Sequence, residues 1–268
     1  MTPRVALSIA GSDSGGGAGV QADLKCFAAL GVHGTCAVTA VTAQNTVGIS
    51  AIHPVPPEVV VAQIEAVISD LRPGAAKTGM LGNGEVLRQV AGQAALPGFP
   101  PLVVDPALRA TSGDRLLEKT AELEYLSLLF PLATVVTPNL AETAILVGRP
   151  VTSLEDMAQA ARQLHHHGPE VVVIKGGHLG GSESVDVVFD GQEITLLSAP
   201  RRNSRNLAGT GCTFSAAITA YLALGLQPIE AITAAKHFVR EAIEGSMDWT
   251  LGAGQGPLDP SGWTRRPG

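Results

Sequence analysis

Short runs of aliphatic and β-branched residues alternate with helical segments along most of this chain, and that alternation constrains the fold more than any other feature. Val5-Ala6-Leu7-Ser8-Ile9 predicts a buried strand, and similar runs predict strands over 35–41, 75–77, 102–104, 134–136 and 171–175. Between them the pattern predicts a helix ending near Leu30 and helices over 57–70, 85–95, 114–123, 140–147 and 154–167, with two long ones over 213–224 and 228–244. Continuous apolar strands separated by helices describe a parallel sheet covered on both faces. Residues 185–189 and 193–197, joined through Asp190-Gly191, predict an antiparallel hairpin. The chain is α/β, and no repeat or composition shift divides its 268 residues. One domain over 1–268 is expected, with a Gly/Pro-rich, loop-like tail over 252–268 that frays.

Composition removes several classes. Hydrophobic residues make up 45% and charged residues 16%, with a net charge of −6, which excludes disorder. Arg201, Arg202 and Arg205 form the only local basic cluster, so no nucleic-acid partner is expected. The longest apolar stretch, 126–136, is interrupted by Pro131, and the run before Gly11 is too short for a signal-peptide core. Three sparse cysteines, Cys26, Cys36 and Cys212, form no disulfide framework. A cytoplasmic protein without a membrane partner is the expectation.

Ligands of open parallel sheets bind beyond the carboxyl ends of the strands. The candidates are therefore the polar residues that follow each run: Asp13, Gln44-Asn45, Thr78, Asp105, Asn139 and Gly176-Gly177-His178. Five glycines crowd residues 11–19, yet the segment is neither a Walker A loop nor G-x-G-x-x-G, because Val20 stands where the last glycine belongs. Such density predicts close approach of backbone to a ligand, with a flexible turn as the plainer alternative. Gly209-Thr210-Gly211-Cys212-Thr213 opens a helical stretch. Bare N–H groups there, with the helix dipole, would make an anion site suited to a transferring phosphoryl group. Cys212 falls in the first turn, where a thiol pKa tends to drop, although a small buried cysteine fits the spacing equally.

Asp105 and Glu142 follow two different strands, and their oxygens suit Mg²⁺ carried on nucleotide phosphates. An acid in a first turn, as Glu142 is, also serves the helix dipole. Lys175, one of five lysines against thirteen arginines, is placed to act as a point charge on phosphate. His165-His166-His167 diverge by about 100° per residue and cannot converge on one ion, so they are expected to close a helix.

Taken in order, several pieces resemble one family. They are Ala10-Gly11-Ser12-Asp13-Ser14-Gly15-Gly16-Gly17-Ala18-Gly19 with Gln21-Ala22-Asp23-Leu24-Lys25; Thr42-Ala43-Gln44-Asn45-Thr46; Lys77-Thr78-Gly79-Met80-Leu81; Val104-Asp105-Pro106; Thr137-Pro138-Asn139; Lys175-Gly176-Gly177-His178; and Gly209-Thr210-Gly211-Cys212-Thr213. Over nearly the whole chain this resembles the hydroxymethylpyrimidine/phosphomethylpyrimidine kinases of the ribokinase-like superfamily. The resemblance implies a central, mostly parallel sheet flanked by helices on both faces. It implies ATP-dependent phosphorylation of 4-amino-5-hydroxymethyl-2-methylpyrimidine and then of its monophosphate, in thiamine biosynthesis. It places Gly11, Asp23, Gln44 and Met80 near the pyrimidine, and Asn139 and Lys175 on the ATP side. Asp105 and Glu142 go to Mg²⁺, and Gly209, Thr210, Gly211 and Cys212 to catalysis. A homodimer is implied too. Alternatives are a pyridoxal/pyridoxine kinase of the same fold, and a catalytically weak pyrimidine sensor. The chain departs from the family at Asn206-Leu207-Ala208, where Asn-Thr-His is usual. It departs also at Ala107-Leu108-Arg109-Ala110-Thr111, where Val-Met-x-Ala-Lys is usual, and at Gly254-Gln255-Gly256-Pro257, where Gly-His-Gly-Pro is usual.

Overall fold

The structure, a computed structural model, describes residues 2–109, 116–177 and 179–265. His178, the motif residues Ala110, Thr111, Ser112 and Gly113, the expected helix start at Asp114 and the tail beyond 265 lie outside the described residues.

Among the described residues nine strands form one sheet: β1 (Val5–Asp13), β2 (His33–Gln44), β3 (Ile49–Pro54), β4 (Ala75–Thr78), β5 (Leu102–Val104), β6 (Val135–Val136), β7 (Val171–Ile174), β8 (Glu183–Phe189) and β9 (Ile194–Pro200). Their order is β3-β2-β1-β4-β5-β6-β7-β8-β9. The six strands from β2 to β7 in that order run parallel, while β3 pairs antiparallel at one edge and β8-β9 pair antiparallel at the other. The hairpin turn follows its Asp-Gly chemistry: Asp190 Oδ1 accepts from the N–H groups of Gln192 and Glu193, at 2.9 and 2.8 Å.

Successive strand residues point to opposite faces, so one short apolar run feeds two cores. Leu7, Ile9 and Val104 pack with α2 (Pro57–Leu71), α3 (Gly84–Ala94), α5 (Leu140–Val147) and α6 (Leu154–His165). Ala6, Val103 and Val135 pack on the other face with α1 (Gly19–Ala29), α7 (Thr210–Ala223) and α8 (Pro228–Gly245). The continuous apolar strands and the two helical layers thus meet the expectation for a covered parallel sheet. Among the described residues no helix is long and apolar enough to cross a membrane.

Three elements differ from expectation. β3 was not foreseen: five of its six residues are exposed, so it carries no apolar alternation. The helix expected over 114–123 is not formed where it is described. Residues Lys119–Ala121 make a single 3₁₀ turn, and α4 runs over Glu124–Leu128. Tyr125 and Leu129, both fully buried and one turn apart, set that later register, whereas Leu123 is 57% exposed. Third, the tail does not fray where it is described. Gln255 N–H donates to the Thr46 carbonyl at 3.0 Å and Gly256 N–H to the Arg205 carbonyl at 3.1 Å. Asp259 is fully buried and takes the N–H groups of Trp263 and Thr264 at 3.0 and 3.2 Å.

Asp259→Ala strips acceptors from two N–H groups and the Thr264 hydroxyl, and is expected to cost about 1–3 kcal/mol. Urea unfolding followed by the fluorescence of Trp249 and Trp263, whose rings lie 5.9 Å apart, measures it. An unchanged midpoint would mean that the tail is loose in solution.

Candidate active site

The parallel strands deliver their carboxyl ends to one edge of the sheet, and α7 begins there. Its N-cap, Gly209, has φ +79°, and a Cβ at that position would lie 1.9 Å from the Gly17 carbonyl oxygen. Only glycine tolerates both conditions. Thr210 N–H bonds the Leu207 carbonyl and Thr213 N–H the Gly209 carbonyl, at 3.2 and 2.8 Å. Between them, the N–H groups of Gly211 and Cys212 meet no acceptor among the described residues. Two free donors at the positive end of a fourteen-residue helix form an anion site.

On one side this helix start meets the loop after β1. Asp13 organises the loop: its Oδ1 accepts from Gly15 N–H at 2.8 Å, and its Oδ2 from Gly17 and Ala18 N–H at 2.9 and 2.8 Å. Gln21 Oε1 takes Asp13 N–H, and Lys25 Nζ donates to the Gly16 carbonyl at 2.7 Å. The glycines here thus serve close packing of backbone on backbone within the site.

On the other side stands a carboxylate–lysine pair. Lys175 Nζ lies 2.9 Å from Asp105 Oδ1, and a Cβ at Gly211 would sit 3.2 Å from Lys175 Nζ and 3.8 Å from Asp105 Oδ2. Thr137 and Ser215 hydroxyls hold Asp105 at 3.3 Å each. A parallel bridge between Asn139 and Lys175 sets these two side by side. Burial pulls the Lys175 ammonium down, but Asp105 and Glu142 outweigh it and raise its pKa.

Glu142 is 2% exposed and completes a capping box: Asn139 N–H donates to Oε2 at 2.8 Å, and Glu142 N–H returns a bond to Asn139 Oδ1 at 3.0 Å. Leu108 N–H reaches Oε1 at 3.2 Å. Burial is the main cause raising its pKa to about 7; Lys175 opposes and Asp105 adds to the rise. The helix-capping role therefore holds for Glu142. A carboxylate oxygen has about two acceptor sites, so each oxygen keeps capacity for a further partner. Two acids share one lysine, which leaves negative charge that a hard cation would offset. Among the described residues no three His, Cys, Asp or Glu side chains gather to hold a metal. Two carboxylates suit Mg²⁺ carried on substrate phosphates.

The residues expected on the substrate side lie at β1, β2 and the segment after β4. A Cβ at Gly11 would touch Met80 Cε at 3.0 Å, so the half-buried Met80 side chain packs over the buried Gly11 backbone. Gln44, half-buried, ends β2, with its backbone N–H and carbonyl clamped by the Ser14 hydroxyl at 2.8 and 2.7 Å. Asp23 corrects an expectation. It has no exposed surface and so lines no pocket; its oxygens hold Lys77 Nζ at 2.8 Å and the Ser8 hydroxyl at 2.6 Å. Lys77 is likewise fully buried. A Lys–Asp pair this deep was missed because Lys77 sits within an apolar strand and the spacing of 54 residues to Asp23 carries no local signal. The β1–β4 register, which puts Ser8 opposite Lys77, brings the three together.

Cys212 also differs from expectation. Burial pushes its thiol up to about 11, against the pull of Lys77, with Asp23 and Asp105 adding to the rise. Burial thus outweighs any lowering by the first-turn position and favours the protonated thiol at neutral pH. His165 packs edge-on against Phe189 at 5.1 Å, a structural role as expected.

An edge that offers free donors to an anion beside a lysine and two acids defines a phosphotransferase, and the sheet around it is that of a ribokinase-like kinase. The chain belongs to the phosphomethylpyrimidine kinase family, whose pattern it matches over residues 13–259. It is 49% identical over 255 residues to the hydroxymethylpyrimidine/phosphomethylpyrimidine kinase of Rhizobium meliloti strain 1021, covering 95% of this chain and 96% of that one. It is similar in structure to an ADP complex of Bacillus subtilis pyridoxal kinase, with TM-score 0.90 and 35% identity over 97% of this chain and 98% of that one. It is also similar to the phosphomethylpyrimidine kinase of Clostridium difficile 630, with TM-score 0.79 and 39% identity over 90% of this chain and 99% of that one.

Two measurements test this electrostatic account. Lys77→Met leaves Asp23 buried and unpaired and should cost about 3–5 kcal/mol, whereas Lys77→Met with Asp23→Leu should recover most of that loss in urea unfolding. Equal stabilities of the two variants would contradict the pairing. Iodoacetamide reacts with thiolate, so peptide-resolved labelling of Cys212 should keep rising toward pH 11. A plateau near the free-thiol value of about 8.5 would contradict the burial argument.

Proposed function

We propose that this protein transfers the γ-phosphoryl group of ATP to 4-amino-5-hydroxymethyl-2-methylpyrimidine, and then a second phosphoryl group to the resulting monophosphate, in the cytoplasm and as a step of thiamine biosynthesis. The observation that carries the reading is the convergence on the start of α7: free Gly211 and Cys212 N–H groups, with the Lys175–Asp105 pair on one flank and Met80, packed on Gly11, beyond the β1 loop.

Phosphoryl transfer needs positioning and charge neutralisation more than covalent help. The hydroxymethyl oxygen bonds the γ-phosphorus as the bond to ADP breaks, and the charge gathers on non-bridging oxygens. Gly211 and Cys212 N–H groups receive that charge, with Gly209 and Thr210 shaping the turn that presents them. Asn139 and Lys175 lie on the ATP side. Asp105 and Glu142 are the residues that would hold Mg²⁺, which supplies charge neutralisation on the phosphates when bound. Gly11, Met80 and the Gln44 amide border the pyrimidine, an amide being able both to donate to and accept from an aminopyrimidine edge. Asp23 braces that side through Lys77 and Ser8.

A protonated Cys212 is no standing base. It serves as a hydrogen-bond partner of the hydroxymethyl oxygen, whose proton passes late to a phosphate oxygen and on to water, once the oxygen is bonded to phosphorus and has become acidic. The second step attacks with a phosphate already ionised and needs no such partner. The exposed edge strand β3 makes a homodimer feasible on this reading. Pyridoxal phosphorylation is the second reading, favoured by the TM-score of 0.90 to a pyridoxal kinase.

Coupled assays with hydroxymethylpyrimidine, its monophosphate and pyridoxal in parallel decide between them. Turnover of both pyrimidines above pyridoxal is expected, and no turnover of either pyrimidine would end the proposal. Cys212→Ala should slow the first step about tenfold, the scale of one lost hydrogen bond, and the second step less. Equal losses in both steps would remove the role given to the thiol.

A further inference from the structure

The basic cluster at 201–205 has no part in the site as described. Two of its members have local structural partners. Arg202 pairs with Glu244 at 2.6 Å, and Arg205 Nη2 donates to the Gly252 carbonyl at 2.8 Å. Arg201, which follows β9, is different. Its guanidinium donates to four backbone carbonyls: those of Gly177 and Leu179, that of Gly181 at 3.0 Å and that of Glu183, where β8 begins, at 3.1 Å. These are alternate residues of the segment that leaves Lys175.

Carbonyls converging on one cation point inward, and in a trans peptide the next N–H points the opposite way. The N–H groups of Gly180 and Ser182 therefore turn away from the guanidinium, and neither finds an acceptor among the described residues. All four acceptors of Arg201 are neutral, and no carboxylate pairs with it among the described residues. Its positive charge is solvated by dipoles, not cancelled. The loop, as it leaves Lys175, is pinned to β8. Gly176 N–H is held by Asp186 Oδ1 at 2.9 Å, and a Cβ on Gly176 would fall 1.9 Å from the Val185 carbonyl oxygen. A segment with glycine at 176, 177, 180 and 181 loses much entropy on ordering. Four bonds to one side chain order it before any ligand arrives.

We propose that Arg201 is a positioning residue for the phosphate donor. It prebuilds the loop after Lys175 so that the outward amides and an uncancelled cation meet the anionic chain of a nucleoside triphosphate. This rests on the assignment of Asn139 and Lys175 to the ATP side.

Steady-state kinetics of Arg201→Ala, Arg201→Lys and Lys175→Met, with ATP and the pyrimidine varied separately, test it. Arg201→Ala should raise the KM for ATP about tenfold, the loss of preorganisation, and leave the KM for the pyrimidine within about twofold. Arg201→Lys should fall between, because an ammonium spans fewer of the four carbonyls. A role in stability alone would lower the active fraction and leave both KM values in place, which overturns the proposal. If Arg201→Ala does not fold, Arg201→Lys carries the same comparison. Hydrogen exchange on the unmodified protein gives an independent reading: a non-hydrolysable ATP analogue should slow exchange of the Gly180 and Ser182 amides, and unaltered exchange also overturns the proposal. Lys175→Met separates the two levels. If it raises the KM for the pyrimidine and not for ATP, the nucleotide assignment itself fails. If it raises the KM for ATP while the Arg201 variants do not, only the role of Arg201 fails.

Discussion

The site exists because two backbones touch at Gly17 and Gly209. A side chain on Gly209 would collide with the Gly17 carbonyl at 1.9 Å, and Gly209 needs its left-handed φ of +79° to turn the chain into α7. That contact joins parts of the chain almost two hundred residues apart and leaves the first donors of α7 bare. Everything else is arranged around it. Asp13 gathers three N–H groups to fix the loop on one side, and Lys175 and Asp105 stand against Gly211 on the other. Loosening the contact would separate the substrate half of the site from the phosphate half without breaking either.

An acidic chain of net charge −6 can then bind a polyanion without a basic surface. Two of its cations are held against acids near the site. Lys175 is tied to Asp105, and Lys77 to Asp23. Buried pairs of this kind add little net stability over apolar packing, but they fix charge at defined positions. Lys77 offsets part of the burial that raises Cys212, while Asp105 and Glu142 keep Lys175 charged. Fixed dipoles at a helix start complete the arrangement and need no reorganisation during transfer.

Sequence pattern carried the architecture well and the deep electrostatics poorly, for one physical reason. Parallel strands buried on both faces leave continuous apolar runs, and helix caps leave local signatures, so β5 and α5 stand where the residues predict. β3 and α4 were illegible because their conformations depend on neighbours and not on their own periodicity. The same distinction runs through the site. Gly209, Gly211, Asp105 and Lys175 mark strand ends and helix starts, which are local features, and the structure brings them together. Asp23 was placed at a pocket by resemblance, although its partners Ser8 and Lys77 are distant in sequence and are joined only by sheet register. Of the two readings the spacing left open for Cys212, burial favours the inert thiol, because helix position is local, whereas the burial that outweighs it is global.

Resemblance to pyridoxal kinases and membership of a pyrimidine kinase family are compatible once the two halves of the site are considered apart. The phosphate half is made of backbone N–H groups, a buried carboxylate–lysine pair and glycines with no room for side chains. On the proposed reading such a half recognises a triphosphate whatever the acceptor. The acceptor half is made of side chains at the end of β2 and after β4, where Gln44 is half-buried and its neighbours in β3 are exposed. Positions with free surface change without disturbing the sheet, whereas a change at Gly209 or Asp105 would disturb the transfer itself. On the proposed reading, overall structural likeness reports mainly on the phosphate half, and the choice of heterocycle falls to a few side chains around Gln44 and Met80.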